Sequence, residues 1–291
     1  MSRIKRGLVF RLRIELKRRA FVLARLPSSS RRVLPDYLVI GAQRAGTTFL
    51  HSMLASHPCV VPPATKEVHW FDLNFRRPES WYRAHFPLLS ELDRVTDRTG
   101  VRTITGEASS YYCFHPAVPE RVASILPHAR IIMLVRNPTE RAISQYFHSV
   151  EHGFEKLSLP DALAAEPERL AGQEDLLADP NARSPAHDRF SYRARGRYLE
   201  QLERWRRWTP DDRLLVMPSR DLFRDPQAAF DRICAFLGIP DHRLTALPPR
   251  NAVTRGIVTS EDRANLDRYF ADHNAAFLAE TGIDLTLPER A

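Results

Sequence analysis

A glycine-bounded loop after residue 40 has the residue types that bind a phosphate group. The apolar run 37–40 predicts a buried strand, and Gly41 and Gly46 follow it. A helix is predicted from Thr47 to about residue 57. Backbone N–H groups at the start of such a helix bind anions, and the helix dipole favours negative charge there. The segment therefore predicts a phosphate cradle, although turns of this kind without a ligand are also common in α/β proteins.

The loop differs from a nucleotide-binding P-loop at one position. A P-loop carries Lys directly after its second glycine, where it reaches the β- and γ-phosphates of a nucleoside triphosphate. Here Thr47 holds that place, and the only cation of the loop is Arg44. No clear acidic residue ends an apolar strand to hold Mg²⁺. A P-loop-type kinase or NTPase is therefore the alternative function, and it is disfavoured.

A second candidate phosphate-binding pair lies about 95 residues further along the chain. Arg136 follows the continuous apolar run 131–135, which is typical of a buried parallel strand. Pro138 then begins a predicted helix, and Ser144 lies about two turns along it. An Arg fork together with a hydroxyl binds phosphate well. The alternative is that Arg136 only forms a salt bridge with Glu140.

The segment between these two motifs contains groups for proton transfer. Glu67 and His69 can each accept a proton from a hydroxyl, and imidazole titrates near neutral pH. If the segment is extended, these two side chains share one face, and Asp72 needs a bend to join them. Taken alone, a Glu-x-His pair is more often a surface pair without such a role.

Together these segments resemble the PAPS-dependent sulfotransferases, and in particular the heparan sulfate 3-O-sulfotransferase branch. The loop from Arg44 to Thr48 is similar to the K-x-G-T-T of that family, with Arg in place of Lys. The segment from Arg136 to Ser144 resembles the motif R-[DN]-P-x-x-R-x-x-S. Residues 67–72 resemble E-V-H-F-F-D, with Trp in place of the first Phe. The resemblance covers roughly residues 36–280.

This resemblance implies a reaction and a set of site residues. The donor is PAPS (3′-phosphoadenosine 5′-phosphosulfate), the acceptor is a hydroxyl of a carbohydrate or glycolipid, and no metal is needed. Glu67 is implied as the general base, with His69 assisting or replacing it, and Arg44 stabilises charge on the departing bridging oxygen. The implied donor-binding residues are Gln43, Arg44, Ala45, Gly46, Thr47, Thr48, Arg136, Ser144, Arg255 and Gly256. Candidate acceptor contacts are Asp72, Tyr192 and Arg195, although a charged helix face is the preferred explanation for the last two.

The elements that must position these residues alternate between strand and helix. The alternation predicts a single α/β domain with a mainly parallel central sheet flanked by helices. Strands are predicted at 37–40, 103–107, 130–136 and 214–217, and helices at 78–86, 116–126, 139–151, 158–166, 190–208, 226–237 and 260–280, the last with Ser260 as N-cap. Ligands of such sheets bind at the carboxyl ends of the strands. We therefore expect Gly41 and Arg136 to face one site.

The positive charge of the 291-residue chain is concentrated in its first 35 residues. These residues include eleven Lys and Arg but only one acid, Glu15, so their net charge is +10. Because the whole chain has a net charge of +8, the remaining residues sum to −2. The near-neutral body argues against a nucleic-acid partner. We expect residues 1–35 to be a basic arm with a linker, and residues 36–285 to be the sulfotransferase domain. The arm is either a solvated helix or a contact with an anionic membrane, which gains ~1 kcal/mol per basic residue near the lipid.

Cysteine usage and hydropathy predict the compartment. Cys59, Cys113 and Cys234 are scattered, which predicts buried thiols in a reducing compartment rather than a zinc site. No run approaches the ~20 apolar residues of a membrane-spanning helix. The arm also lacks the apolar region and cleavage site of a secretory signal. We therefore expect a cytoplasmic enzyme, with the arm able to hold it at the inner membrane surface.

Overall fold

The computed structural model describes residues 19–246 and 256–288 of the chain. Each described strand is followed by one or more helices. The described helices and strands are α1 (within residues 19–25), β1 (Tyr37–Gly41), α2 (Thr47–Ala55), α3 (Glu79–Arg83), α4 (Leu89–Thr99), β2 (Gly106–Ala108), α5 (Val118–Ile125), β3 (Arg130–Val135), α6 (Pro138–Glu151), α7 (Leu159–Leu170), α8 (Gln173–Leu176), α9 (Pro185–Arg189), α10 (Tyr198–Arg206), β4 (Leu214–Pro218), α11 (Ser219–Arg224), α12 (Pro226–Leu237) and α13 (Ser260–Thr281). This order confirms the predicted α/β class.

The four described strands form one parallel sheet in the order β2-β1-β3-β4. Tyr37 of β1 pairs with Gly106 of β2 on one side and with Arg130 of β3 on the other. Every residue of β1 is buried, as are the last five residues of β3. Continuous burial explains why these strands read as unbroken apolar runs. Because β1 and β3 are neighbours, the loop after Gly41 and the segment after Val135 meet at the carboxyl end of the sheet, as predicted.

The predicted helix 190–208 is only partly confirmed, because α10 covers Tyr198–Arg206 and a separate 3₁₀ turn at Ala194–Gly196 precedes it. The backbone N–H groups of Arg193 and Ala194 donate to the buried Glu166 carboxylate at 2.8–2.9 Å. Because these N–H groups donate to a side chain, they do not form the i to i−4 backbone hydrogen bonds of a continuous α-helix. Gly196 then packs so tightly that a Cβ atom would lie 2.6 Å from the Phe270 ring.

Two further boundaries differ from the prediction. Strand β2 begins at Gly106, and Ile104 forms only an isolated bridge with Val60. Helix α13 is capped by Thr259 rather than by Ser260. The Thr259 hydroxyl accepts from the Asp262 N–H at 3.0 Å, and the Asp262 carboxylate accepts from the Thr259 N–H. The helix therefore begins with a reciprocal capping box, which a search for Glu or Gln alone overlooks.

The described part of the basic arm packs on the domain. Val22 is buried. Arg25 and Arg32 both donate to the Phe86 carbonyl, at 2.5 and 2.7 Å. The segment expected as a linker forms a 3₁₀ helix, Leu26–Arg31. Within residues 19–246 and 256–288, no helix combines the length and the apolarity needed to span a membrane.

Candidate active site

The glycine loop (residues 41–48) joins β1 to α2 and requires glycine at both ends. A Cβ atom on Gly41 would lie 2.6 Å from the Cys113 Cβ and 2.9 Å from the Ser110 carbonyl oxygen. Gly46 is the N-cap of α2 and has φ +90°, in the left-handed region that favours glycine. It has no side chain to cap the helix, so the first N–H groups of α2 are directed into the loop. Thr47 is buried and Thr48 is exposed.

The structure joins the two predicted phosphate-binding segments through Arg44. Its Nε donates to the Ser144 Oγ of α6 at 3.0 Å, across 100 residues of sequence. Arg136, at the end of β3, donates from Nη1 to the Arg44 carbonyl oxygen at 3.0 Å. Burial and the neighbouring Arg136 charge lower the pKa of Arg44. Two guanidinium groups held this close favour an anion between or beside them.

Gln43, in the same loop, is held from the opposite side by Arg195. The Arg195 Nη1 donates to the Gln43 Oε1 at 2.6 Å, and its guanidinium lies over the rings of Tyr111 and Phe114. Arg195 is 2% exposed and Tyr192 is fully buried. Both side chains are engaged in contacts within the protein, and a contact with the acceptor stays a prediction. Arg195 positions the glycine loop, and the Tyr192 hydroxyl donates to Glu155.

Residues 67–72 bring Glu67, His69 and Asp72 together by a turn rather than along an extended segment. Glu67 and His69 have φ values of +60° and +54°. His69 Nδ1 lies 2.7 Å from the Asp72 Oδ2, and His69 Nε2 lies 3.9 Å from the Glu67 Oε2. The other Glu67 oxygen accepts from the Lys66 ammonium at 2.9 Å and from the Ser110 hydroxyl at 3.2 Å. The segment is therefore not extended, and the condition for a shared face with period two is not met.

The charges of this turn set the protonation of Glu67 and His69. Burial lowers the pKa of His69, but the buried Asp72 carboxylate beside it outweighs burial and raises the pKa to about 9. Burial raises the pKa of Glu67, but Lys66, His69 and the Ser110 hydroxyl together bring it below its ordinary value. At neutral pH the turn therefore holds a carboxylate at Glu67 and an imidazolium at His69. The Glu67 side chain is 41% exposed and is accessible to an acceptor.

Sequence reasoning missed the buried residue that supports this turn. Glu107 of β2 is 0% exposed and accepts hydrogen bonds from the hydroxyls of Tyr82, Ser109 and Tyr112 at 2.6–3.0 Å. The Ser109 hydroxyl in turn accepts from the His69 N–H at 3.1 Å. The Tyr112 hydroxyl accepts from the N–H groups of residues 70 and 71 at 2.9 and 3.3 Å. An acidic residue within a predicted buried strand, Glu107 in 103–107, was the sequence signal that could have identified this support.

The C-terminal segment approaches α6 next to Ser144. A Cβ atom on Gly256 would clash with the Phe147 ring, so a larger residue here would require the ring to shift. Phe147 lies one turn beyond Ser144 on α6. Gly256 is exposed at this point, close to the proposed phosphate site. Arg255, the other predicted residue of this segment, lies outside the described residues.

Comparison with known proteins identifies the family. Residues 34–248 match the family described as the sulfotransferase domain. That range includes the glycine loop, the turn at Glu67 and the pair Arg136 and Ser144. The chain therefore belongs to the sulfotransferase family, as the resemblance indicated. The comparisons give no support to a kinase.

Individual relatives agree with this assignment. The crystal structure of a sulfotransferase from Alicyclobacillus acidocaldarius superposes with a TM-score of 0.64 at 29% identity, covering 87% of this chain and 98% of that chain. The bifunctional heparan sulfate N-deacetylase/N-sulfotransferase 3 of Homo sapiens is 32% identical over 218 residues, 72% of this chain and 23% of that protein. The membrane-associated sulfotransferase kil1 of Dictyostelium discoideum is 24% identical over 307 residues, 83% of this chain and 64% of that protein.

The chain matches only part of these two curated relatives. The chain spans about a quarter of the length of its heparan sulfate relatives and about two thirds of kil1. The heparan sulfate relatives are N-sulfotransferases by name. Assignment to the 3-O branch therefore stays a prediction.

Proposed function

We propose that this protein transfers the sulfuryl group of PAPS to a hydroxyl of a carbohydrate or glycolipid acceptor. The observation that carries the proposal is the union of two phosphate-binding segments at one end of the sheet. Arg44 of the glycine loop bonds Ser144, and Arg136 bonds the carbonyl of Arg44. A donor with phosphates at both its 5′ and 3′ positions matches two adjoining anion sites, whereas a nucleoside triphosphate matches a single loop with a lysine.

The residues present fit this donor. The first N–H groups of α2, with Thr47 and Thr48, would hold the 5′-phosphosulfate, because a helix start without a side-chain cap is an anion site. Arg136 and Ser144 would hold the 3′-phosphate, and Gly256 lies against Phe147, one turn beyond Ser144 on α6. When bound, PAPS supplies an activated sulfuryl group with PAP as its leaving group. Arg44 would stabilise the negative charge that develops as PAP departs.

Glu67 is the proposed general base. It is a carboxylate at neutral pH and is accessible. His69 is held in its protonated form by Asp72, and an imidazolium has no lone pair to accept a proton. Glu67 would take the proton of the acceptor hydroxyl as that oxygen forms its bond to sulfur. His69 would hold the Glu67 carboxylate in place through its charge, 3.9 Å away.

The acceptor class is proposed from the site and from the relatives. The names of the heparan sulfate relatives give a sugar chain as their acceptor. The exposed Glu67 carboxylate suits an acceptor that reaches the site from solvent. These relatives are named N-sulfotransferases, so an amine on the sugar is the second candidate nucleophile.

Ligand-dependent thermal stability tests the donor assignment. A ligand at 100 times its Kd stabilises the native state by ~2.7 kcal/mol, a shift of several degrees in Tm. We expect such a shift with PAP, independent of Mg²⁺, and little shift with ATP or GTP. Arg136→Ala should lose most of the PAP shift. Arg102→Ala, with a side chain 76% exposed, should retain it. A Mg²⁺-dependent shift with ATP or GTP, and none with PAP, would refute the proposal.

We also propose that the protein is cytoplasmic and contacts the anionic inner membrane surface through its basic arm. In the described part of the arm, Phe21 and Leu23 are 46% and 62% exposed on α1. Apolar side chains beside a cationic arm suit an interfacial helix. Co-sedimentation with phosphatidylserine vesicles tests this, with phosphatidylcholine vesicles as the control. We expect Phe21→Ser with Leu23→Ser to release the protein, and equal binding to both vesicle types would contradict the proposal.

A further inference from the structure

The last turn of α6 carries three metal-ligand side chains on one face. His148, Glu151 and His152 occupy positions i, i+3 and i+4 of the helix. One ring nitrogen of each histidine and one carboxylate oxygen of Glu151 all lie within 4.8 Å of one another. The two imidazole rings are 4.1 Å apart between centroids. A His pair at i and i+4 on one helix face is a recognised geometry for binding Zn²⁺. We call these three residues the α6 histidine cluster.

The His152 ring is already oriented for metal binding. Its Nδ1 lies 2.9 Å from the His148 carbonyl oxygen. A carbonyl oxygen only accepts, so Nδ1 must carry the proton, and the lone pair of the neutral ring is on Nε2. Metal-binding histidines commonly use this arrangement, in which the second ring nitrogen donates to a backbone carbonyl.

The position of the cluster on the helix also favours a cation. Helix α6 ends at Glu151, and His152 is its C-cap. The last carbonyl groups of a helix carry partial negative charge, which stabilises a cation nearby. Glu151 is exposed and adds a full negative charge. Two imidazoles and one carboxylate are ligands of the type that zinc and related ions prefer.

We propose that the α6 histidine cluster binds a divalent ion of the zinc class, with three protein ligands and a fourth position open to water. Metal–ligand bonds of about 2.0–2.2 Å place tetrahedral ligand atoms about 3.3–3.6 Å apart. The ligand atoms must therefore close by roughly 1 Å. Half-buried and exposed side chains at a helix end can do so by rotation.

An ion in this place would lie beside the proposed donor site. Ser144 is one turn before His148 on the same helix. Burial and Arg136 lower the pKa of Arg44, and the charge of Glu151 opposes them, so the cluster is within electrostatic reach of the glycine loop. The ion takes no part in the proposed sulfuryl transfer. It would change the charge at the rim of the site.

Metal titration of the untagged, full-length, metal-free protein tests the proposal without reference to activity. Isothermal titration calorimetry with Zn²⁺, and the absorption bands of Co²⁺, report affinity and tetrahedral geometry. We expect one ion per chain. His152→Ala and Glu151→Gln should each weaken binding by at least about tenfold. His128→Ala, an exposed histidine at the opposite end of the sheet, should not change it.

Two results would overturn the proposal. One is the absence of Zn²⁺ binding to the wild-type chain. The other is equal affinity in the wild type, His152→Ala and Glu151→Gln, which would place the ion elsewhere. Glu151 is exposed, so Glu151→Gln should leave the fold intact. It therefore tests the site even if His152→Ala does not fold. Because PAP is not used, this outcome is separate from that of the donor experiment.

Discussion

His69 is expected to be an imidazolium at neutral pH, and this decides which group is the base. The Asp72 carboxylate, 2.7 Å from Nδ1, outweighs burial and raises the pKa of His69 to about 9, against an ordinary value of 6.5. At 1.36 kcal/mol per pKa unit, this shift corresponds to about 3 kcal/mol. We expect Asp72→Asn to remove most of the shift. Burial, the largest single cause, is then opposed only by the charges of Glu67 and Asp188, so the pKa of His69 should fall well below 9.

The same ion pair predicts how stability changes with pH. The pKa of His69 is higher in the folded than in the unfolded state. Its stabilisation is therefore fully present below pH 6.5 and is lost as the pH rises through about 9. Relative to His69→Gln, the free energy of unfolding of the wild type should fall by about 3 kcal/mol across that window.

Two assays check this prediction. NMR of the histidine ring protons, assigned with His69→Gln, measures the pKa directly in the wild type and in Asp72→Asn. Urea unfolding at pH 6.5, 8 and 9.5 measures the stability difference. A wild-type pKa at or below 6.5, or the same pKa in Asp72→Asn, would refute the reasoning. In the first case His69 would be neutral at pH 7 and would replace Glu67 as the candidate base.

Three further predictions concern the remaining site residues. Glu67→Gln should lower turnover by about 10²-fold or more, the range of general base catalysis, while calorimetry shows unchanged PAP affinity; normal turnover would exclude Glu67 as the base. Arg44→Ala should lower turnover by about 10²–10³-fold, because it removes charge stabilisation of the leaving group; equal rates in steady-state assays would exclude that role. Tyr112→Phe leaves the Trp70 N–H without its hydroxyl acceptor, and urea unfolding should show a loss of about 1–3 kcal/mol; unchanged stability together with unchanged turnover would remove the Glu107 cluster as a support of the turn.

The sequence alone identified the glycine loop and the segment at Arg136. Both signals are local: an apolar run, a glycine or proline at its end and a helix start follow one another within about 15 residues. Strand alternation then implied a parallel sheet, and a parallel sheet brings strand ends to one edge. The meeting of the two segments was therefore predictable, although the bond between Arg44 and Ser144 was not.

Residues distant in sequence decided the shape of the base segment. An extended segment at 67–72 would have placed Glu67 and His69 on one face. The hydroxyls of Ser109 and Tyr112, held by Glu107, instead accept from the N–H groups of residues 69–71. Local residue types carry no information about such partners.

The same reason explains the broken helix and the role of Arg195. The sequence 190–208 has helical periodicity, but Glu166 of α7 takes the N–H groups that would continue it. The break turns Arg195 inward to Gln43. The sequence thus determined the chemistry and the end of the sheet at which it takes place. Only the tertiary structure decided which side chain touches which, because buried donors and acceptors bind the nearest partner in space and not the nearest in sequence.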